Sequence, residues 1–177
     1  MHLLFVCTGN ICRSPTAERL TQAYAAHHGL PGLTASSAGT RAVAGYTMEP
    51  SAAQVLTELG GDPTGFRARQ LKPAMVNDAD LVVGLSTRHR NRVLEESPRA
   101  MRRAFTLREL SALLAVPSSE AALLPRLAQA RAARPPAPDS LDITDPMGQD
   151  LATFQEIGRQ ITATLLPVLD ALRAELS

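Results

Sequence analysis

The chain opens on Leu3–Val6, four consecutive apolar residues, and reaches a helix start at Pro15 after only the eight residues Cys7–Ser14. An unbroken apolar run with no polar alternation suits a strand buried on both faces. Strand-like runs recur at Leu33–Ser37, Leu81–Gly84 and Arg103–Phe105. Helical patterns lie between and after them, over Pro15–His28, Glu49–Leu59, Pro73–Asn77, Arg88–Glu95, Leu107–Ala115 and Leu151–Glu175. Short buried strands alternating with helices require a parallel sheet covered on both faces, an α/β fold. Such sheets bind ligands at the carboxyl ends of their strands, which is where Cys7–Ser14 falls. A chain of 177 residues suits one domain, residues 1–177, with a substantial core.

The loop itself reads Cys7-Thr8-Gly9-Asn10-Ile11-Cys12-Arg13-Ser14. Cys7 ends a strand and faces the N-terminus of the next helix, where unpaired N–H groups favour negative charge. That field favours the thiolate, the nucleophilic form of cysteine, and also suits a phosphate dianion. Gly9 lets the backbone turn inward, so that the amides from Thr8 through Asn10, Ile11 and Cys12 to Ser14 converge as an anion nest. Asn10 suits a left-handed position and braces the loop with its amide. Arg13 offers a planar fork for two phosphate oxygens. Ser14 is placed to hydrogen-bond the thiolate, and Pro15 fits a first helical turn. A cysteine and an arginine at this separation recur by chance; the preceding strand, Gly9, Asn10 and the Ser-Pro helix start narrow the reading to a phosphate site.

The run Leu4–Pro15 resembles the signature of low-molecular-weight protein tyrosine phosphatases. Ser36-Ser37-Ala38-Gly39-Thr40 is similar to the second strand and turn of that family, and Arg67-Ala68-Arg69-Gln70-Leu71 to the segment before its third helix. Ala79-Asp80-Leu81-Val82-Val83 resembles its third strand, and Asp145-Pro146 followed by Gly148 resembles its general-acid loop. The resemblance implies a four-stranded parallel sheet flanked by helices, of the phosphotyrosine phosphatase I-like type. It implies Cys7 as nucleophile through a phosphocysteine, Arg13 and the loop amides on the equatorial oxygens, and Asp145 as the acid that later activates water. Without the resemblance, Asp139, Asp142 and Asp150 are rivals to Asp145. No metal or cofactor is expected, because the loop and Arg13 supply the positive field. Cys12 reads as an inert buried thiol or, as the resemblance favours, as a redox partner forming a reversible disulfide with Cys7.

Phosphotyrosine-specific members of the family carry aromatics beside Asp-Pro and after the second strand. Here Met147 and, within Arg41–Met48, Tyr46 stand in those places and are expected to wall the substrate pocket. Phe66 stands for a common histidine and Ser86 for a common aspartate. With Phe105–Leu110 they resemble the branch that holds bacterial protein arginine phosphatases. Ile11, however, is typical of tyrosine-type loops; arginine-specific members have threonine there. The expectation is therefore a protein-tyrosine-phosphatase, with a protein arginine phosphatase as the alternative. A thioredoxin-coupled arsenate reductase needs cysteines outside the loop, and this sequence has two, both inside it. A phospho-binding module without activity is disfavoured because Cys7, Arg13 and Asp145 are all present.

A net charge of +1 gives no global field for nucleic acid. No apolar run is long enough for a bilayer span, so no membrane partner is expected. No basic region precedes the first apolar run, and both cysteines sit in one loop, which suits a reducing, cytoplasmic setting. By analogy with bacterial members, the expected partner is a phosphorylated protein, with a bacterial tyrosine kinase as the candidate; no oligomeric state is read. Arg88, Arg90, Arg92, Arg99, Arg102 and Arg103 read as a solvated face or as a field that steers an acidic phosphoprotein tail. Residues 116–138 read as a surface insertion or as a lid beside the site. Their expected helix is capped at Ser118-Ser119-Glu120 and broken by the prolines of Arg134–Pro138.

Overall fold

The computed structural model describes residues 1–133 and 141–176. Strands β1 (His2–Cys7), β2 (Thr34–Gly39), β3 (Leu81–Gly84) and β4 (Ala104–Thr106) form one sheet in the order β2-β1-β3-β4. Every pairing is parallel, as the unbroken apolar runs require. Helices α1 (Arg13–His27), α2 (Pro50–Glu58), α3 (Pro73–Asp78), α4 (Thr87–Glu96), α5 (Leu107–Leu114), α6 (Leu123–Ala133) and α7 (Leu151–Leu176) cover it. None of the described helices is long and apolar enough to cross a membrane.

Alternation along the strands divides the core in two. Leu3, Phe5, Leu81, Val83 and Phe105 join the larger core, with buried residues of α1, α2, α5, α6 and α7. Leu4, Val6, Val82 and Ala104 point the other way, onto Val76 of α3, Val93 of α4 and Ala100. Complete burial of a Leu or Phe side chain contributes about 1.5–3 kcal/mol, so this two-sided packing fixes β1 and with it the position of Cys7.

Besides small shifts at other element ends, three features differ from the sequence expectation. Helix α1 begins at Arg13, ahead of Pro15, so Arg13 and Ser14 belong to its first turn. Helix α6 begins at Leu123, after the expected Ser118 cap. Ser118 instead accepts from Glu120 N–H at 3.1 Å, a local turn, and Pro125 then falls in the first helical turn, where its missing N–H is harmless. A 3-10 turn over Pro98–Arg102 was not expected. The buried Leu127 and Ala130 of α6 belong to the larger core. Arg131 stacks on Phe105 at 4.1 Å and reaches Glu109 at 2.9 Å. The expected break at Arg134–Pro138 and the rival Asp139 lie outside the described residues.

Candidate active site

The cysteine loop leaves the C-terminal end of β1 and enters α1 directly. A second segment lies along it. Thr40 N–H donates to Cys7 O at 2.9 Å, Arg41 N–H to Thr8 O at 3.0 Å, Val43 N–H to Gly9 O at 2.9 Å and Glu49 N–H to Ile11 O at 2.8 Å. Gly39 permits this approach, since a Cβ there would meet Thr8 O at 2.5 Å. The loop carbonyls therefore bond outward. Among the described residues, the N–H groups of Thr8, Gly9, Asn10, Ile11 and Cys12 donate to no protein acceptor. Amides left unpaired at a helix entrance form an anion-binding nest.

The left-handed position belongs to Asn10, with φ of 55°, as expected. Gly9 has no positive φ, and an added Cβ would meet only Ile11 and Val43 at ordinary distances, so the left-handed step of the loop rests on Asn10 and not on a glycine. Asn10 is fully buried. Its Nδ2 donates to Ser14 Oγ at 2.9 Å and Ser37 Oγ at 2.8 Å, and its Oδ1 accepts from Arg69 N–H at 2.9 Å. Ser37 in turn donates to Glu18 Oε2 at 2.5 Å. These contacts set the direction of the chain: Ser14 Oγ accepts from Asn10, so its own hydrogen is available to Cys7 Sγ at 2.9 Å. Glu18 is buried, and burial raises its pKa above the usual glutamate range, opposed by its bond from Ser37.

Arg13 is 6 % exposed and occupied on both edges. Its NH1 donates to Ile143 O at 2.9 Å, and its NH2 meets Asp145 Oδ2 at 2.8 Å. The guanidinium expected to hold phosphate thus also holds the Asp145 loop. Asp142 and Asp150 are accounted for otherwise. Asp142 accepts from Thr87 N–H at 2.6 Å at the start of α4. Asp150 accepts from Thr153 N–H at 2.9 Å at the start of α7. Asp150 thus caps α7, and Asp142 takes up a free amide of α4, whose own cap is Ser86, so Asp145 alone of the described rivals contacts Arg13.

Cys7 and Cys12 are both buried and free of a disulfide. Burial first, and the neighbouring Cys7 second, push the Cys12 thiol well above the usual thiol range. Tyr46 and Met147 are exposed, at 67 % and 43 %, on the two segments that border the loop. Neither side chain has a hydrogen bond or ring contact to it. Val43, which the sequence reading passed over, is closer: its backbone bonds Gly9, and its side chain shares with Ile11 the space over Gly9.

His89 is a second omission. It is 2 % exposed, with Nδ1 2.9 Å from Ser86 Oγ and Nε2 2.9 Å from Thr8 Oγ1. Ser86 Oγ also accepts from His89 N–H at 3.3 Å, which leaves its hydrogen available to Nδ1; the neutral ring then carries its proton on Nε2, facing Thr8. Burial first, then Arg13, lower the His89 pKa to about 4, with Asp145 and Asp142 opposing. Its only sequence signal was a lone histidine within a basic helix.

The model of the low molecular weight phosphotyrosine protein phosphatase family matches residues 2–115. The chain belongs to that family. EpsP of Ralstonia nicotianae, a probable low molecular weight protein-tyrosine-phosphatase, is 30% identical over 154 residues, covering 87% of this chain and 83% of its own length. The low molecular weight protein tyrosine phosphatase of T. tengcongensis superimposes with a TM-score of 0.76 at 26% identity, over 96% of this chain and 98% of its own. The YwlE arginine phosphatase from Geobacillus stearothermophilus does so with a TM-score of 0.75 at 26% identity, over 98% and 94%. In this low-molecular-weight phosphatase the family match ends one residue past α5, so the Asp145 loop lies beyond it.

Proposed function

We propose that this chain is a protein-tyrosine-phosphatase that hydrolyses phosphotyrosine through a phosphocysteine at Cys7. The observation that carries the reading is one cluster: the unpaired amides of Thr8–Cys12 around Cys7, with Arg13 and Asp145 in contact at 2.8 Å. Cys7 attacks phosphorus in line, and the P–O bond to the leaving group breaks. The loop amides and Arg13 hold the equatorial oxygens, preorganised for the charge of the transition state. An entering dianion competes with Asp145 for the NH2 edge of Arg13. It also brings negative charge to the carboxyl, which favours the protonated form that can donate to the leaving oxygen. Asp145 then takes a proton from the attacking water, and sulfur departs as a thiolate that accepts the Ser14 hydrogen bond.

Ile11 and Val43 over the loop, with Tyr46 and Met147 at its borders, favour an aromatic ring as leaving group. Likeness to an arginine phosphatase supports the alternative of a phosphorylated guanidine. The substrate is a phosphorylated protein, with a bacterial tyrosine kinase as the candidate, and the setting is a reducing, cytoplasmic one, which keeps the Cys7 thiol reduced. Cys12 acts as a redox guard. Peroxide oxidises Cys7 to a sulfenic acid, and the Cys12 sulfur displaces water to close a reversible disulfide. The stretch 116–138 is an insertion within a single domain, and its described part, residues 116–133, is fastened by α6. Matched phosphotyrosine and phosphoarginine peptides, with Cys7→Ser as control, test the assignment. Turnover of phosphotyrosine that Cys7→Ser abolishes is expected; preference for phosphoarginine would move the chain to the alternative.

A further inference from the structure

Beside the cysteine loop, on the side of Thr8, the surface dips into a groove of about 640 Å³ lined by Thr40, Arg41, Arg88, Asn91, Arg92 and Glu95. One wall is the segment leaving β2, pinned by Thr40 N–H on Cys7 O and Arg41 N–H on Thr8 O. The other wall is one face of α4: residues 88, 91, 92 and 95 follow the helical spacing of three and four. His89 fastens that helix to Thr8 at 2.9 Å. Both walls are therefore tied to the first residues of the loop, and the groove keeps its place relative to Cys7.

The charge of the groove is one-sided. Arg92 is neutralised by Glu95 at 3.0 Å and Glu96 at 3.1 Å, which also accounts for the one carboxylate in the lining. Arg41 and Arg88 are exposed and have no carboxylate partner among the described residues. Other arginines of the same basic stretch are engaged: Arg90 with Glu109 at 3.3 Å, and Arg103 with the carbonyls of Asn77 and Ala79. In a chain with a net charge of +1, two uncompensated guanidinium groups next to the nucleophile loop form a local positive site.

We propose that this groove is a specificity subsite for acidic side chains flanking the phosphorylated residue of a protein substrate. The proposal rests on the phosphatase reading above and names the sequence class that site prefers. Arg41 and Arg88 offer planar forks to carboxylates, and Thr40 and Asn91 add hydrogen-bonding groups to the lining. An extended peptide advances roughly 3.3–3.6 Å per residue, so acidic residues close to the phosphoresidue reach the groove while the phosphoryl group occupies the loop.

The test compares kcat/KM for phosphotyrosine peptides carrying Glu on either flank with isosteric Gln peptides, and for phenyl phosphate, which has no flank. The wild-type chain is expected to prefer the Glu peptide on one flank by roughly five- to tenfold. Raised salt is expected to shrink that preference, and the Arg41→Gln/Arg88→Gln double variant to abolish it while phenyl phosphate turnover stays unchanged. Equal turnover of Glu and Gln peptides by a wild-type chain active on phenyl phosphate would overturn the subsite and leave the phosphatase reading standing. So would a Glu preference that survives in the double variant. A second phosphotyrosine preferred over Glu at that flank, through the same arginines, would replace the carboxylate occupant with a phosphate. Failure on every phosphotyrosine substrate and on phenyl phosphate would instead defeat the phosphatase reading.

Discussion

His89 makes the stability of this fold depend on pH in a calculable way. Its pKa falls from the ordinary 6.5 to about 4 in the folded chain, because burial and then Arg13 disfavour the imidazolium. The unfolded chain takes up this proton near pH 6.5, whereas the folded chain resists it. The contribution is therefore fully present above pH 6.5 and is lost as pH falls through the window to about 4. At 1.36 kcal/mol per pKa unit, the loss amounts to about 3 kcal/mol. For a chain of this size that corresponds to roughly 10 °C in melting temperature. The assay is urea unfolding at a series of pH values from 7 to 4, on the wild type and on His89→Gln. Gln shifts the whole curve by its own altered contacts, so the slopes are compared. The other ionisable groups are common to both proteins, so their contributions largely cancel. The wild type should lose about 3 kcal/mol more than the variant over that range. Parallel curves would refute the argument, since they would mean that His89 takes its proton in the folded state as readily as in the unfolded one.

Three further outcomes follow from single contacts. Asn10→Ala should lower stability by about 3 kcal/mol by orphaning the Arg69 N–H and removing the hydrogen bonds that Asn10 donates to the Ser37 and Ser14 hydroxyls. Asn10→Gly should recover about 1 kcal/mol of that, because glycine accepts the positive φ; denaturant midpoints decide, and an Ala variant at least as stable as Gly would contradict it. Asp145→Asn should lower kcat on phenyl phosphate by about 10²–10⁴ and by less on p-nitrophenyl phosphate, whose leaving group needs less protonation; steady-state rates check this. Cys12→Ser should leave turnover intact but make peroxide inactivation irreversible by thiol reductant, whereas the wild type recovers; equal recovery would remove Cys12 from redox protection.

Much of the site was legible because it is local. The strand, the eight-residue loop and the helix start lie within the first fifteen residues, and the strong left-handed tolerance of asparagine marked Asn10. Asp145 was legible only through a motif, since composition treats neighbouring aspartates alike. Asp150, three residues before Thr153, carried a helix-cap signal that went unused. His89 and the Arg41–Arg88 groove were not legible, as each depends on α4 lying against the end of β1, a contact between residues far apart in sequence. The start of α6 was misplaced because Ser118 imitates a cap, while the buried faces of Leu127 and Ala130 set where the helix packs.

The most direct test of the account is a rapid acid quench of the Asp145→Asn variant during turnover of p-nitrophenyl phosphate, whose leaving group needs little protonation so that hydrolysis of the intermediate is the step slowed most, followed by mass mapping of the digested chain. Slowed hydrolysis of the intermediate should leave one phosphoryl group on the peptide that contains Cys7, labile as a thiophosphate is, and absent from the Cys7→Ser chain. Turnover with no phosphoryl adduct on that peptide, or with the adduct on another residue, would contradict the assignment of Cys7 as the nucleophile.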